Sequence, residues 1–210
     1  MRFIHKGGEP RLLTNYRAAG GGYDGHNFTP VKDSIRLSLL QEQGHLCAYC
    51  MSRITINNMK VEHWACQADN PMRQLDYSNL LGCCKGDEGE RFVNQTCDSR
   101  KGNKPLKFNP SRLQDRIDTI IVYDGQGNIY STDKEFSEQI DTVLNLNKAR
   151  LVENRLGVLQ WVRLQLSCKT GKRRTKSEIR RLLGEYMLVN AQGQLKAYCG
   201  LVENYLSSKL

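Results

Sequence analysis

Cysteines are the feature of this sequence that most constrains its fold. Six of the eight cysteines lie within about fifty residues, from Cys47 to Cys97, whereas Cys168 and Cys199 stand apart. The segment "CAYC" places Cys47 and Cys50 on one tight turn, and "NLLGCC" and "TCDSRKGN" carry further thiols downstream. Two thiolates on a tight turn suit two corners of a zinc tetrahedron. The pattern therefore predicts a closed structural zinc site whose remaining ligands come from the two downstream segments.

The expected cellular location supports a metal site over a redox site or disulfides. The segment "MRFIHKGGEP" lacks the apolar core of a signal peptide, and no run approaches the ~20 apolar residues of a membrane span. We therefore expect a cytoplasmic protein with no membrane association, where paired cysteines bind metal more often than they form disulfides. A thioredoxin-like redox motif would need a βαβ context, which this sequence lacks.

The charge of the chain indicates a polyanionic partner. Lysine and arginine number 31 against 22 acidic residues, a formal net charge of +9. Such an excess suits nucleic acid, because neutralised phosphates release counterions. A soluble basic protein with no such partner remains the simpler alternative. The basic run "KTGKRRTKSEIRR" (169–181) is either a solvated face or a docking surface for phosphate or protein.

The segment "KVEHW" places Glu62 directly before His63, behind a valine that reads as the end of a short strand. Taken in order, "CAYC…VEHW…DYSNLLGCC…TCDSRKGN" resembles the HNH nucleases, whose site is a zinc-braced ββα-metal fold. The resemblance covers about residues 45–105. It implies that His63 is the general base at the end of the first strand and that Glu62 binds the catalytic cation.

The same resemblance assigns roles to the other motif residues. Asn79 matches the asparagine that opens the second strand and orients the base. Asp98 would be the second cation ligand, at a helix start where the family more often has asparagine or histidine. The structural zinc ligands would be four cysteines, with Cys83 as the runner-up to the third: Cys47, Cys50, Cys84 and Cys97. The short second CxxC of the family is opened here into "CCKGDEGERFVNQTC".

The chemistry of these residue types fits phosphodiester hydrolysis. A histidine is neutral enough at pH 7 to take a proton from water. Two carboxylates are hard ligands that suit Mg²⁺ or Mn²⁺. Three basic residues near the last cysteine are either phosphate contacts or a solvated helix end: Arg100, Lys101 and Lys104. Taken one at a time, His63, Asn79 and Asp98 would be a structural histidine, a turn asparagine and a helix cap.

The rest of the chain completes an α+β prediction in four parts. Residues 1–45 would be an extended arm (1–28) followed by a helix that begins at Thr29-Pro30 and ends at Gly44. Residues 46–110 would be the HNH module, with too little apolar content for a core of its own. Residues 111–132 read as a β-hairpin around "GQG". From residue 133 to 210 a period near 3.6 predicts core-facing helices, and in one of them a stripe of apolar residues: Val152, Leu156, Leu159, Val162 and Leu166.

The resemblance extends, with the N-terminal and helical segments, to the PtuB group of HNH proteins. These belong to Septu and retron-associated anti-phage systems, where they are paired with an ATPase called PtuA. It implies a nuclease controlled by a PtuA-like ATPase that docks on residues 133–210, with DNA favoured over RNA such as tRNA. The alternatives are a catalytically dead, zinc-stapled module that binds nucleic acid or protein, and a helical adaptor.

Overall fold

The computed structural model describes residues 1–167 and 174–210 as a mixed α+β protein. The strands and helices, in chain order, are α1 (Arg11–Ala18), α2 (Thr29–Glu42), β1 (Met59–His63), β2 (Leu80–Cys84), α3 (Cys97–Lys101), α4 (Ile117–Ile120), β3 (Ile121–Tyr123), β4 (Ile129–Ser131), α5 (Lys134–Thr142), α6 (Ala149–Leu166), α7 (Lys176–Met187) and α8 (Cys199–Ser207). Cys168 and the part of the basic run before residue 174 lie outside the described residues. None of the described helices is long and apolar enough to cross a membrane.

Two small antiparallel sheets form, one in the cysteine-rich region and one after it. In the first, β1 pairs with β2, so that Glu62 lies opposite Leu81 and His63 opposite Leu80. Helix α3 follows and packs against β2. The second sheet is a hairpin of β3 and β4, shorter than the predicted range of 111–132, because the residues before β3 form helix α4 instead of strand. The side chain of Asp124 holds its loop by accepting hydrogen bonds from the backbone N–H groups of Gln126 and Asn128.

The N-terminal segment corrects one expectation, because residues 1–28 are not a purely extended arm. They contain α1, and Leu13 on that helix is fully buried. Tyr16 packs its ring 5.3 Å from that of Phe28, which is also buried. The many glycines and arginines of the segment obscure this apolar face in the sequence. Helix α2 begins at Thr29 as predicted, and Gly44 follows its end with a φ of +56°.

The core is shared between segments that are far apart in sequence. One cluster of buried side chains draws on the N-terminal segment, the cysteine-rich region, the hairpin and α5. A second cluster joins α6, α7 and α8 to Leu46 and Met51, which flank the first CxxC turn. The cysteine-rich region therefore lies between two apolar cores and contributes to both.

Helix α6 differs from its predicted apolar stripe by one position. Leu159 and Val162 are buried as expected, but Val152 and Leu156 are partly exposed. The buried positions of the first turns are Leu151 and Arg155 instead. The buried face of the helix therefore includes an arginine, which a stripe of apolar residues alone does not predict.

Candidate active site and metal centre

Four cysteines from three segments converge at the base of the small sheet. The tight turn before β1 brings Cys47 and Cys50, the end of β2 brings Cys84, and the start of α3 brings Cys97. All four sulfur atoms lie within 4.8 Å of one another, and these were the four predicted zinc ligands. Cys83, the runner-up, is fully buried and lies outside this group.

The spacing of the sulfurs suits a tetrahedral ion. Cys47 Sγ lies 3.8 Å from Cys97 Sγ, and Cys50 Sγ lies 3.8 Å from Cys84 Sγ. Tetrahedral zinc with bonds of about 2.3 Å separates its sulfur ligands by about 3.8 Å. Burial opposes ionisation of Cys47, but hydrogen bonds from its neighbours outweigh this and lower its pKa. Four thiols so placed can hold a metal ion such as zinc.

Glu62 is buried beside the cysteine cluster, with two partners on one carboxylate oxygen. Tyr49, from the first CxxC turn, donates its hydroxyl to Glu62 Oε1 at 2.9 Å. Lys101 Nζ lies 2.8 Å from the same oxygen. Burial raises the pKa of Glu62, and the neighbouring carboxyl group of Asp98 raises it further. The Glu62 side chain is 4% exposed, so its negative charge has little contact with water and is compensated by the Lys101 ammonium.

Asp98 lies on α3, close enough to the Glu62 carboxyl group for each to shift the pKa of the other. Its Oδ2 is 2.9 Å from Lys60 Nζ, which also pairs with Glu88 at 2.9 Å. Burial opposes ionisation of Asp98, but hydrogen bonds from Glu62 and Lys60 lower its pKa. Two carboxyl groups in contact favour either a shared proton or a bound cation.

His63 ends β1 with its ring fixed on two sides. Nε2 lies 2.9 Å from the carbonyl oxygen of Gln74, and Tyr23 meets the ring edge-on with centroids 4.5 Å apart. A carbonyl oxygen only accepts, so Nε2 carries the proton and Nδ1 is left as an acceptor. Burial lowers the pKa of His63, which keeps the ring neutral at pH 7. Asp98 is close enough to influence that pKa in the opposite direction.

Asn79 makes hydrogen bonds to two backbone segments near His63, the residues just after β1 and the loop that contains Gln74. Its side chain makes no direct hydrogen bond to the His63 ring. Its Oδ1 accepts the N–H of Ala65 at 2.8 Å, and its Nδ2 donates to the Ala65 carbonyl at 3.0 Å. A longer contact of 3.4 Å reaches the carbonyl of Arg73, next to Gln74. The amide therefore clamps the exit of β1 against the loop whose carbonyl holds the histidine.

The three basic residues of the helix end are placed differently from one another. Lys101 differs from the expectation of a phosphate contact, because it is 1% exposed and its ammonium is held by Glu62 and by the carbonyl of His63. Lys104 is exposed, and Arg100 is partly exposed with its guanidinium over the ring of Phe92. Arg100 and Lys104 thus remain available to an anion, whereas Lys101 belongs to the carboxylate site.

Four residues of this site were absent from the sequence prediction: Tyr23, Tyr49, Lys60 and Gln74. For Lys60 a signal existed, because residues two apart on a strand share a face and Lys60 precedes Glu62 by two. Tyr49 lies within the cysteine turn itself, where only the cysteines drew attention. Tyr23 and Gln74 come from segments distant in sequence, and Gln74 acts through its backbone, which no residue type reveals.

The class of site is thus a carboxylate pair, Glu62 on the small sheet and Asp98 on α3, with a neutral histidine next to Glu62 and a four-cysteine cluster nearby. No family model matches the chain. Over 155 residues the chain is 27% identical to a protein of Vibrio cholerae serotype O1 biovar El Tor, named "Retron Vc95 putative HNH endonuclease". The match covers 68% of this chain and 74% of that protein. It confirms the resemblance to the HNH endonucleases that the motifs predicted.

Proposed function

We propose that this protein is an HNH endonuclease that hydrolyses phosphodiester bonds of nucleic acid with a divalent cation. The observation that carries the proposal is the placement of two neighbouring carboxyl groups, the buried Glu62 and the partly buried Asp98, with Glu62 immediately before His63 on β1. Lys101 and Lys60 each pair with one of these carboxylates. A binding module has no need for a histidine base beside two hard carboxylate ligands, whereas a cation-dependent hydrolase requires that set. The HNH name of the Vibrio cholerae relative supports the same activity.

In this proposal His63 acts as the general base through Nδ1. The Gln74 carbonyl fixes the proton on Nε2 and fixes the ring orientation, so that Nδ1 can accept a proton from the attacking water. Asn79 is a positioning residue, because its amide clamps Ala65 and the loop before Gln74. The lowered pKa of His63 keeps the acceptor free at neutral pH.

Glu62 and Asp98 would hold Mg²⁺ or Mn²⁺ through their carboxylate oxygens. Hard carboxylate oxygens are the ligands these cations prefer. A cation bound there would neutralise the charge that develops on the phosphate and on the leaving oxygen. Lys60 and Lys101 would hold the two carboxylates in place and add positive charge beside the same phosphate.

The four cysteines would bind a structural zinc ion in a ββα-metal arrangement of β1, β2 and α3. Since β2 carries Cys84 and α3 begins at Cys97, the ion would fix the helix that bears Asp98 against the sheet that bears Glu62. The cluster is closed by four protein ligands, which is typical of structural zinc. Its part in the reaction would be to hold the catalytic carboxylates in register.

The biological setting we propose is an anti-phage defence complex. The relative from Vibrio cholerae is named for a retron, and the motifs resemble the PtuB group that acts with a PtuA-like ATPase. Residues 133–210 would provide the docking surface for that ATPase. DNA is the favoured substrate because HNH enzymes as a class favour DNA, and RNA such as tRNA is the second candidate.

The test is a cleavage assay on plasmid DNA and on total tRNA, with Mg²⁺ and with the ATPase partner co-expressed. His63→Ala should slow cleavage by about 10²–10⁴, the usual contribution of a general base. His26→Ala is the matched control, because His26 is exposed in the N-terminal segment and should leave the rate unchanged. Chelation of Mg²⁺ should stop the reaction in every variant.

The alternative is a zinc-stapled module that binds nucleic acid or protein without cutting. Equal cleavage by the wild type and by His63→Ala on both substrates would reject the assignment of His63. Salt-dependent binding with no cleavage, even with the partner present, would favour a catalytically dead binding module instead.

A further inference from the structure

The insertion that separates Cys84 from Cys97 carries an exposed aromatic side chain. Phe92 begins a short helical turn, Phe92–Asn94, and is 51% exposed, while its neighbour Val93 is 68% exposed. A single exposed apolar residue needs no explanation. Two adjacent ones on a segment without a buried face indicate a surface that contacts something else.

Positive charge surrounds the phenyl ring. The Arg100 guanidinium lies 3.9 Å from the ring centroid, and Lys104 Nζ lies 5.5 Å from it. Arg91 precedes the ring and is exposed. Within 1–167 and 174–210, none of these three cations forms an ion pair. The exposed acid next to them is Glu90.

The platform formed by Phe92, Arg100 and Lys104 is held firmly in place. Phe92 lies in a segment that begins and ends at cysteines of the four-thiol cluster, and Arg100 and Lys104 follow the second of these cysteines. Inside the segment, Thr96 donates its backbone N–H to Gly86 at 2.8 Å. Asn145 donates to the carbonyl of Gln95 at 2.9 Å, and Lys148 reaches the carbonyl just before it. The exposed ring is therefore preorganised, which lowers the entropy cost of binding a partner to it.

The platform is also close to the proposed cation site. Arg100 lies on α3 two residues after Asp98, so the separation of their backbones is a fraction of a helical turn. Residues two apart on a helix point to different faces, so the platform would meet a part of the strand other than the phosphate held at Glu62 and Asp98.

We propose that this platform stacks an unpaired base of the nucleic acid while its cations contact the flanking phosphates. The inference rests on the proposed nuclease function and adds a substrate class to it: strands with unstacked bases, in single-stranded DNA or in an RNA loop. Aromatic rings and arginine planes stack on any base, and this gives affinity without sequence preference. A fully paired duplex presents no free base face to the ring.

Binding is measured in the His63→Ala background, so that the probe is not cut, with Mg²⁺ present. The probes are a labelled single-stranded DNA of about 16 nucleotides, an RNA hairpin with an unpaired loop, and a blunt DNA duplex. Each strand carries a fluorescent adenine analogue whose emission falls on stacking. Phe92→Ala should weaken binding to unpaired probes by on the order of ten-fold and abolish the quenching. Phe92→Trp should restore both.

Leu113→Ala is the matched control, since Leu113 is 72% exposed on a different segment and should change nothing. A stronger effect of Phe92→Ala on the DNA strand or on the RNA loop would identify the source of the unpaired base. Equal loss on the duplex, or no loss on any probe, would overturn the proposal. So would unchanged binding together with failure to assemble with the ATPase, which would make the platform a protein contact. If the wild-type protein quenches the probe by stacking but never cuts it, the proposed nuclease function would be wrong and the proposed base stacking on Phe92 would be supported.

Discussion

At the scale of single residues, the pairing of Lys101 with Glu62 has the largest consequence for stability. The two side chains are 0% and 4% exposed and lie 2.8 Å apart. A buried ion pair contributes little net stability, but the loss of one partner leaves the other charge without compensation. Protonation of Glu62 would reduce this cost, because its raised pKa lets it take up a proton when the lysine is absent.

Lys101→Met should therefore destabilise the protein by about 3 kcal/mol, at the lower end of the range for a broken buried pair. The measurement is chemical unfolding at neutral pH, with Lys104→Met as the control, because Lys104 is exposed and makes no ion pair in the described chain. The double variant with Glu62→Gln should recover most of the loss. Equal stabilities of the two lysine variants would contradict the role assigned to Lys101.

The CxxC turn and the resemblance of the ordered motifs to the HNH nucleases singled out the four converging cysteines, with Cys83 as the runner-up to Cys84, and the adjacent Glu62 and His63. The sequence did not predict which neighbours fix them. The His63 ring is oriented by a backbone carbonyl, and backbone groups have no signature in a sequence. The sequence predicted Lys101 to be a phosphate contact or part of a solvated helix end, because lysine is almost never buried unless paired. Its partner is thirty-nine positions earlier on β1, which only the packing of α3 on the sheet brings close.

At the scale of elements, helix α6 supports the β3–β4 hairpin through one buried arginine. Arg155 is 1% exposed, and its guanidinium donates to the carbonyls of Gly127 and Leu146 and to the side chain of Asn147. Gly127 is required there, because its φ is +89° and an added Cβ would lie 2.8 Å from the carbonyl oxygen of Val152. The hairpin loop thus rests directly on the helix.

Arg155→Ala should cost about 3 kcal/mol or more, because three acceptors lose a charged donor and a cavity remains. Arg155→Lys should recover only part, since one ammonium cannot reproduce the planar fork. Arg163→Ala is the matched control: it lies on the same helix and donates to the same loop at Gly125, but it is exposed and should cost about 0.5 kcal/mol. Thermal unfolding of the three variants gives the comparison. Similar losses at Arg155 and Arg163 would show that burial does not govern this contact.

At the scale of the whole molecule, the cysteine cluster lies where the two apolar cores meet. Cys47, Cys50 and Cys97 belong to the larger core, which also contains residues of the N-terminal segment and α5. Met51, next in the chain, belongs to the core of α6, α7 and α8. A zinc ion at the cluster would therefore stabilise both cores, and its removal should unfold more than the small sheet.

The matched pair Cys84→Ser and Cys83→Ser tests this, because the two neighbours on β2 differ in their relation to the cluster. Cys84→Ser should abolish zinc binding, measured by atomic emission, and should remove the cooperative thermal transition of the whole chain, as a strong chelator should in the wild type. Cys83→Ser should retain the metal, with a modest loss of stability from burying a hydroxyl. If Cys83→Ser released zinc and Cys84→Ser retained it, Cys83 would replace Cys84 as the third zinc ligand. If a metal-free protein kept its cooperative transition, the two cores would be stable on their own and the cluster would serve only to position α3.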